Sequence, residues 1–167
     1  MPMVFGPHDY RHRLSACLRR MDDERPVIIL EKGIAEWKAC RGYVENVSHA
    51  ITLAALNDDS RAQIYNVSDS FAFTEKEWIE RIATIVDWKG EIKILEGDQL
   101  PPHLDSIVNS AQNIDLNTDK IRKHLGYTDK IGLEKALEKT IEWERQNLPD
   151  TDIEDEYKAE DEVLLND

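Results

Sequence analysis

Two imidazoles flank an acid in His8-Asp9-Tyr10-Arg11-His12, the spacing at which an H-E-x-x-H helix presents two zinc ligands and a general base. Three features spoil the match. Aspartate is a methylene shorter than glutamate, Pro7 keeps His8 out of the helix, and no third ligand follows. No metal site is expected. Cys17 and Cys40 lack C-x-x-C spacing and a paired histidine motif, so neither redox nor nucleophilic chemistry is assigned to them. They read as small apolar side chains of a reduced, cytoplasmic protein. No G-x-G-x-x-G turn joins a strand to a helix, which removes the usual backbone cradle for a dinucleotide pyrophosphate. No Tyr-x-x-x-Lys pair exists either: four places after Tyr43 and Tyr127 stand Val47 and Ile131. Catalytic, cofactor-binding and metal-binding residues are therefore all set at none.

What remains is binding chemistry. Arg41 carries a planar guanidinium fork, which suits phosphate or carboxylate; its alternative is a structural ion pair or a solvated strand end. Arg11, His12, Arg13, Arg19 and Arg20 form a basic group in an acidic chain. That group is read first as the solvated face of a helix, and second as an anion site near a helix N-terminus. Trp37 and Tyr43 are candidate pocket aromatics, whereas Trp78, Trp88 and Trp143 fall at or near apolar helix faces and read as core.

These residues must be held by a mixed set of elements. Val4-Phe5, ending at Gly6-Pro7, reads as the end of a strand whose sheet lies elsewhere. Asp9 is expected to cap a helix with Leu14, Cys17, Leu18 and Met21 on its apolar face, ended by Pro26. Val27 to Leu30 reads as a strand, Lys32-Gly33 as a turn, and Glu36 to Cys40 as a partner strand. Val44, Val47, Ile51, Leu53, Ala54 and Leu56 mark the apolar face of the next helix. Gln63 to Val67 reads as a strand, and Thr74-Glu75-Lys76-Glu77 as a capping box opening a helix through Trp78, Ile82, Ile85 and Val86. Ile92 to Leu95 is the next strand, so strand, helix and strand predict a parallel crossover. Ile114 to Leu116 is a short extended piece. A short helix through Ile121 and Leu125 stops at Gly126, and a last helix carries Leu133, Leu137, Thr140 and Ile141.

Charge bounds the partners. The net charge is −13, which disfavours nucleic acid. No apolar run is long enough to span a bilayer. Beyond Leu148-Pro149 the acids crowd together, with Lys158 alone against them. Residues 149–167 therefore read as an acidic tail, frayed unless Ile153, Tyr157 and Leu164 dock as a narrow stripe. Residues 1–148 read as one folded domain.

The order of the pieces carries a resemblance. Val4-Phe5-Gly6-Pro7 comes first, then Arg41-Gly42-Tyr43-Val44-Glu45-Asn46-Val47 with Ala50-Ile51. Ile64-Tyr65-Asn66-Val67 follows, then Asp115 through Thr118-Asp119-Lys120-Ile121-Arg122 to Leu125-Gly126-Tyr127, and finally Thr140-Ile141-Glu142-Trp143. In this order they resemble the C-terminal part of the NAD-dependent epimerase/dehydratase family, the extended short-chain dehydrogenases/reductases, over residues 3 to 147. The resemblance implies a small mixed α/β domain with a parallel crossover, lacking the Rossmann half. It implies a substrate-binding role for a sugar or nucleotide-sugar, with Gly6, Pro7, His8 and Tyr10 at the domain seam and Arg41 and Tyr43 across from it. His103 lies in the Leu100 to Asp105 loop, where such enzymes often supply an arginine. NAD or NADP would belong to a full-length family member and not to this chain. Two partner expectations follow: a Rossmann-type half, or self-association through a seam exposing Met3, Val4 and Phe5. The other reading is a standalone binding or protein-interaction module derived from the same domain.

Overall fold

A computed structural model describes residues 2–105 and 109–166. In chain order the elements are β1 (Met3–Phe5), α1 (Ser15–Asp22), β2 (Val27–Glu31), α2 (Lys32–Glu36), β3 (Lys38–Ala39), β4 (Arg41–Tyr43), α3 (Val44–Leu56), β5 (Phe73–Thr74), α4 (Glu75–Val86), β6 (Glu91–Leu95), α5 (Asp119–Leu125), α6 (Leu133–Gln146) and α7 (Glu154–Leu165). The fold is mixed α/β, as expected. The chain divides into two compact units, each assembled from three separate stretches.

The first unit comprises Met1–Leu14, Lys38–Phe73 and Ile114–Asn147. Its sheet is the parallel pair of β1 and β4, with Met3, Val4 and Phe5 opposite Arg41, Gly42 and Tyr43. Phe5 is buried against Tyr43, with ring centroids 5.5 Å apart. Behind the pair, α3 buries Asn46, Val47 and Ala50. Ala50 joins Ile121, Leu125 and Tyr127 in a core cluster that Leu53, Ala54, Tyr65 and Val67 close over. The face expected for α3 is thus only partly right, since Ile51 and Leu56 are exposed. A polar side chain sets the helix rotation. Asn46 is buried and its amide donates to Ile131 O at 2.9 Å; its oxygen accepts the N–H groups of Lys130 and Ile131 at 2.9 and 3.0 Å. Gln63 to Val67, expected as a strand, has no ladder among the described residues. Side chains of α5 serve it instead: Lys120 Nζ donates to Ile64 O at 3.0 Å, and Tyr65 OH bonds His124 at 2.7 Å.

The second unit comprises Ser15–Trp37, Thr74–Asn113 and Leu148–Asp167. β2 and β6 pair in parallel over five residues, Val27 opposite Glu91 through Glu31 opposite Leu95. A parallel crossover is present, but its first strand is β2 rather than residues 63–67. The hairpin expected after β2 is absent because Glu31 caps a helix: its carboxylate accepts Gly33 N–H at 2.8 Å and Ile34 N–H at 2.7 Å. α4 opens with the predicted capping box of Thr74 and Glu77. At its far end Trp88 donates to Arg25 O at 2.8 Å, and a side chain at Gly90 would lie 2.5 Å from Pro26 O. α1 starts at Ser15, later than expected, because Asp9 closes a turn of its own (below). Burial, and then Glu75, push the Cys17 thiol up to about 12, so it stays a protonated thiol at neutral pH.

In place of a frayed segment, residues 154–165 form α7. The repulsion expected there is cancelled by cations. Arg20 bonds Glu156 and Glu160, and Arg25 bonds Asp161. Tyr157 lies under Arg25 at 4.6 Å and donates to Asp23 at 2.7 Å.

Candidate functional site

At the C-terminal end of β1 the first unit opens a cleft of about 300 Å³, lined by Pro2, Val4 through Tyr10, Arg13 and Val44. The backbone there is sharply bent. Gly6 has φ +133°, and a side chain at this position would lie 2.5 Å from Val44 Cγ1. His8 and His12 both sit in left-handed backbone, at φ 69° and 47°. No helix can run through them, which removes the geometry of the H-E-x-x-H motif.

Asp9 organises the loop. It is buried, and its carboxylate accepts Arg11 N–H at 3.1 Å, Arg13 N–H at 3.3 Å and Arg13 Nη1 at 2.5 Å. The same Arg13 nitrogen donates to Val4 O at 2.9 Å. That bond has a consequence for β1. In a parallel pair, alternate residues face opposite edges. Met3 N–H donates to Cys40 O at 3.0 Å, so Met3 and Phe5 serve β4 while Val4 faces outward. Arg13 fills the outward carbonyl.

Behind the loop, His12 stacks on Trp143 at 5.3 Å and bonds the fully buried Glu144 at 2.8 Å. Burial holds the Glu144 carboxyl above its usual range, against the opposing pull of His12. Exposed at the lip are Tyr10, whose hydroxyl lies 3.2 Å from Arg11 Nε, and His8, whose ring lies 5.7 Å from that of Trp143. A hydroxyl, an imidazole and a guanidinium beside an apolar wall suit an oxygen-rich ligand.

Gly6, Pro7, His8 and Tyr10, expected at the site, all line this cleft. Arg41 and Tyr43 do not. Arg41 is buried in β4 with Nη1 3.4 Å from Ala39 O, and Tyr43 is buried with its hydroxyl donating to Glu45 at 2.9 Å. Asp69 braces this strand end: its N–H donates to Arg41 O at 2.7 Å and its carboxylate accepts Tyr43 N–H at 3.2 Å. His103 belongs to the second unit, where it bonds Glu160 at 3.0 Å. Asp9 and Val44, expected as a helix cap and an apolar helix position, and Arg13, expected in the basic group, also line the cleft. The one available signal for the pairing of Asp9 with Arg13 was their Asp-x-x-x-Arg spacing, which reads as a helical ion pair only if a helix starts at Asp9.

The strand-to-helix turn at α2 does not suit a dinucleotide. The first turn of α2 is already occupied by the Glu31 carboxylate, which takes the amides a pyrophosphate would need. α3 opens with Glu45, and Asp69 takes the adjoining Tyr43 N–H. At α2 negative charge stands where phosphate would have to sit; at α3 the Glu45 carboxylate is paired with Lys139 Nζ at 2.7 Å. Among the described residues, His103, Glu156 and Glu160 bring potential metal ligands within 4.8 Å of one another, but Arg20 already bonds both carboxylates.

No family model and no curated protein matches the sequence. Solved structures do. UDP-glucose 4-epimerase from Thermotoga maritima, solved with UDP-glucose, matches at TM-score 0.67 and 22% identity over 89% of this chain and 45% of that one. dTDP-glucose 4,6-dehydratase from Bacillus anthracis, in complex with NAD, matches at 0.66 and 19% over 88% and 43%. A Pseudomonas aeruginosa protein complexed with NADPH matches at 0.65 and 15% over 86% and 46%. This chain has the fold of part of an epimerase/dehydratase. It spans less than half the length of each of these structures, and at such identities the likeness is one of fold.

Two predictions follow from this geometry. Gly6→Ala meets both a left-handed φ and Val44, and should cost about 2–3 kcal/mol in urea unfolding. Gly132→Ala, with open space around its Cβ, should stay within about 0.5 kcal/mol. Equal costs would contradict the strained loop. The second concerns Asp69, whose carboxyl is pushed up from 3.8 to about 6, first by burial and also by Asp129. A raised carboxyl binds more protons folded than unfolded, so stability falls as pH rises from about 4 to about 6 and is level above that. Asp69→Asn should flatten that fall. An unchanged pH profile would show that Asp69 titrates normally.

Proposed function

We propose that this chain is the substrate-binding part of an NAD(P)-dependent sugar or nucleotide-sugar epimerase, dehydratase or reductase, and that it is not catalytically competent alone. The observation that carries the reading is the cleft at the end of β1. It gathers Gly6, Pro7, His8 and Tyr10 in a fold shared with nucleotide-sugar epimerases and dehydratases. In this reading the sugar or nucleotide-sugar meets Tyr10 and His8 at the lip while Asp9 and Arg13 hold the loop. The hydride chemistry, with NAD or NADP, belongs to a Rossmann-type half that works as partner to this one. The acidic junction at α2 supports leaving the cofactor to that half. A cytoplasmic setting is part of the same proposal; no helix among the described residues is long and apolar enough to cross a membrane.

One observation favours the second reading, a standalone binding or interaction module. The outward carbonyl of Val4 is satisfied by Arg13 from within the chain, and Phe5 is buried. The seam expected to drive self-association is therefore less exposed than its sequence implies.

Isothermal titration separates the readings. UDP-glucose should give a saturable heat, weakened about tenfold, or about 1.4 kcal/mol, in Tyr10→Ala and His8→Ala. NADH should give none. A micromolar dissociation constant for NADH would overturn the division of labour. A folded chain indifferent to UDP-glucose and related nucleotide-sugars would favour the standalone module.

A further inference from the structure

α7 docks by charge. Its twelve residues hold six acids and one lysine, and its one buried side chain is Glu160. A surface helix ordinarily docks through an apolar stripe. Here Ile153, just before the helix, and Tyr157, Val163 and Leu164 remain half-buried, and Leu165 is exposed. The cations that receive α7 come from three places in the second unit: Arg20 on α1, Arg25 just before β2, and His103 in the loop after β6. The side chains of Arg20 and Arg25 are largely covered, 5% and 16% exposed, and His103 is an exposed residue whose ring is 21% exposed at the edge of the group.

The fit of Glu160 to this group is uneven. Oε1 accepts from Arg20 Nε at 3.0 Å, from Arg20 Nη2, and from His103 Nε2 at 3.0 Å. Oε2 is buried and has no hydrogen-bond partner; Arg25 Nη2 lies 3.9 Å away. One carboxylate oxygen is crowded with donors while the other goes unserved. Arg25 must turn to Asp161 instead, at 3.2 Å for one of its two bonds. A group with more oxygens, spread over a tetrahedron, would serve two guanidinium forks and an imidazole at once.

We infer that Arg20, Arg25 and His103 form a binding site for a phosphate-type anion, and that α7 covers it from within as an acidic stand-in. This goes beyond the proposed function and does not depend on it, because it concerns different residues in the other unit. The ligand class is a terminal phosphate or pyrophosphate. Its arrival displaces Glu156, Glu160 and Asp161 and frees α7.

The test uses the full chain with inorganic pyrophosphate as probe. Hydrogen exchange is followed at the amides of residues 154–165, with sodium chloride matched in ionic strength as control. Pyrophosphate should deprotect α7 saturably while matched chloride leaves it protected. Glu160→Gln weakens the internal competitor and keeps its size. It should lower the half-effective pyrophosphate concentration about tenfold, by raising the fraction of open sites. Adding Arg25→Ala to that variant should raise the concentration again by about tenfold or more. The site is overturned if α7 stays protected at every pyrophosphate concentration, if chloride frees it equally, or if the Arg25 change has no effect. In each of those cases α7 is simply a docked helix.

Discussion

Val4 turns its N–H and C=O away from β4, and the fate of those two groups shapes everything around the cleft. A two-stranded parallel sheet is a poor structure by itself, because its outer edges invite another strand. In this chain the invitation at β1 is answered by a side chain. Arg13 donates to the Val4 carbonyl while Asp9 holds the guanidinium in place. For Arg13 to reach back, the chain must fold over itself between residues 6 and 12. That need explains a glycine with no room for a side chain, two histidines in left-handed backbone, and an aspartate buried among the amides it accepts. The cleft is the space left by this fold-back. Its lining is the loop that secures the strand edge.

The same economy of charge runs through both units. Buried or half-buried acids serve backbone amides or guanidinium groups in four places: Asp9 in the loop, Asp69 behind β4, Glu31 at the start of α2, and Glu160 under α7. A protein with a net charge of −13 folds by placing a share of its acids on its own donors. One of those acids stands where a phosphate could otherwise dock. The start of α2, a place that attracts phosphate in other α/β folds, is here already met by the Glu31 carboxylate.

Much of the local structure was legible because it rests on short-range chemistry. The capping box at Thr74, the stop at Gly126 and the strands expected at residues 27–30 and 92–95 show in the local pattern, and all four appear, each strand one residue longer than expected. The misreadings share one cause, a polar side chain whose partner the apolar pattern does not reveal, near in sequence for Glu31 and distant for Asn46 and the terminal acids. Three bonds from Asn46 to the segment at residues 130–131 turn α3, so the apolar pattern gives only part of its buried face. Glu31 spends its carboxylate on two amides and converts an expected turn into a helix. The acidic terminal run reads as self-repelling until Arg20 and Arg25, over a hundred residues earlier, are set against it. Of the site, the strand end and its Gly-Pro turn were readable. The role of Arg13 was not, because it depends on the direction in which Val4 points.

That direction can be measured. Amide hydrogen exchange, resolved by residue with NMR across β1, tests whether the edge is closed by Arg13 alone or covered by another strand. The ladder to β4 should protect the amides of Met3 and Phe5, while Val4, facing outward with no strand beyond it, should exchange far faster than either. A Val4 amide as slow as that of Phe5 would mean that a further strand, from a second copy or another part of the chain, pairs with this edge, and the account of a sheet finished by Arg13 would fail.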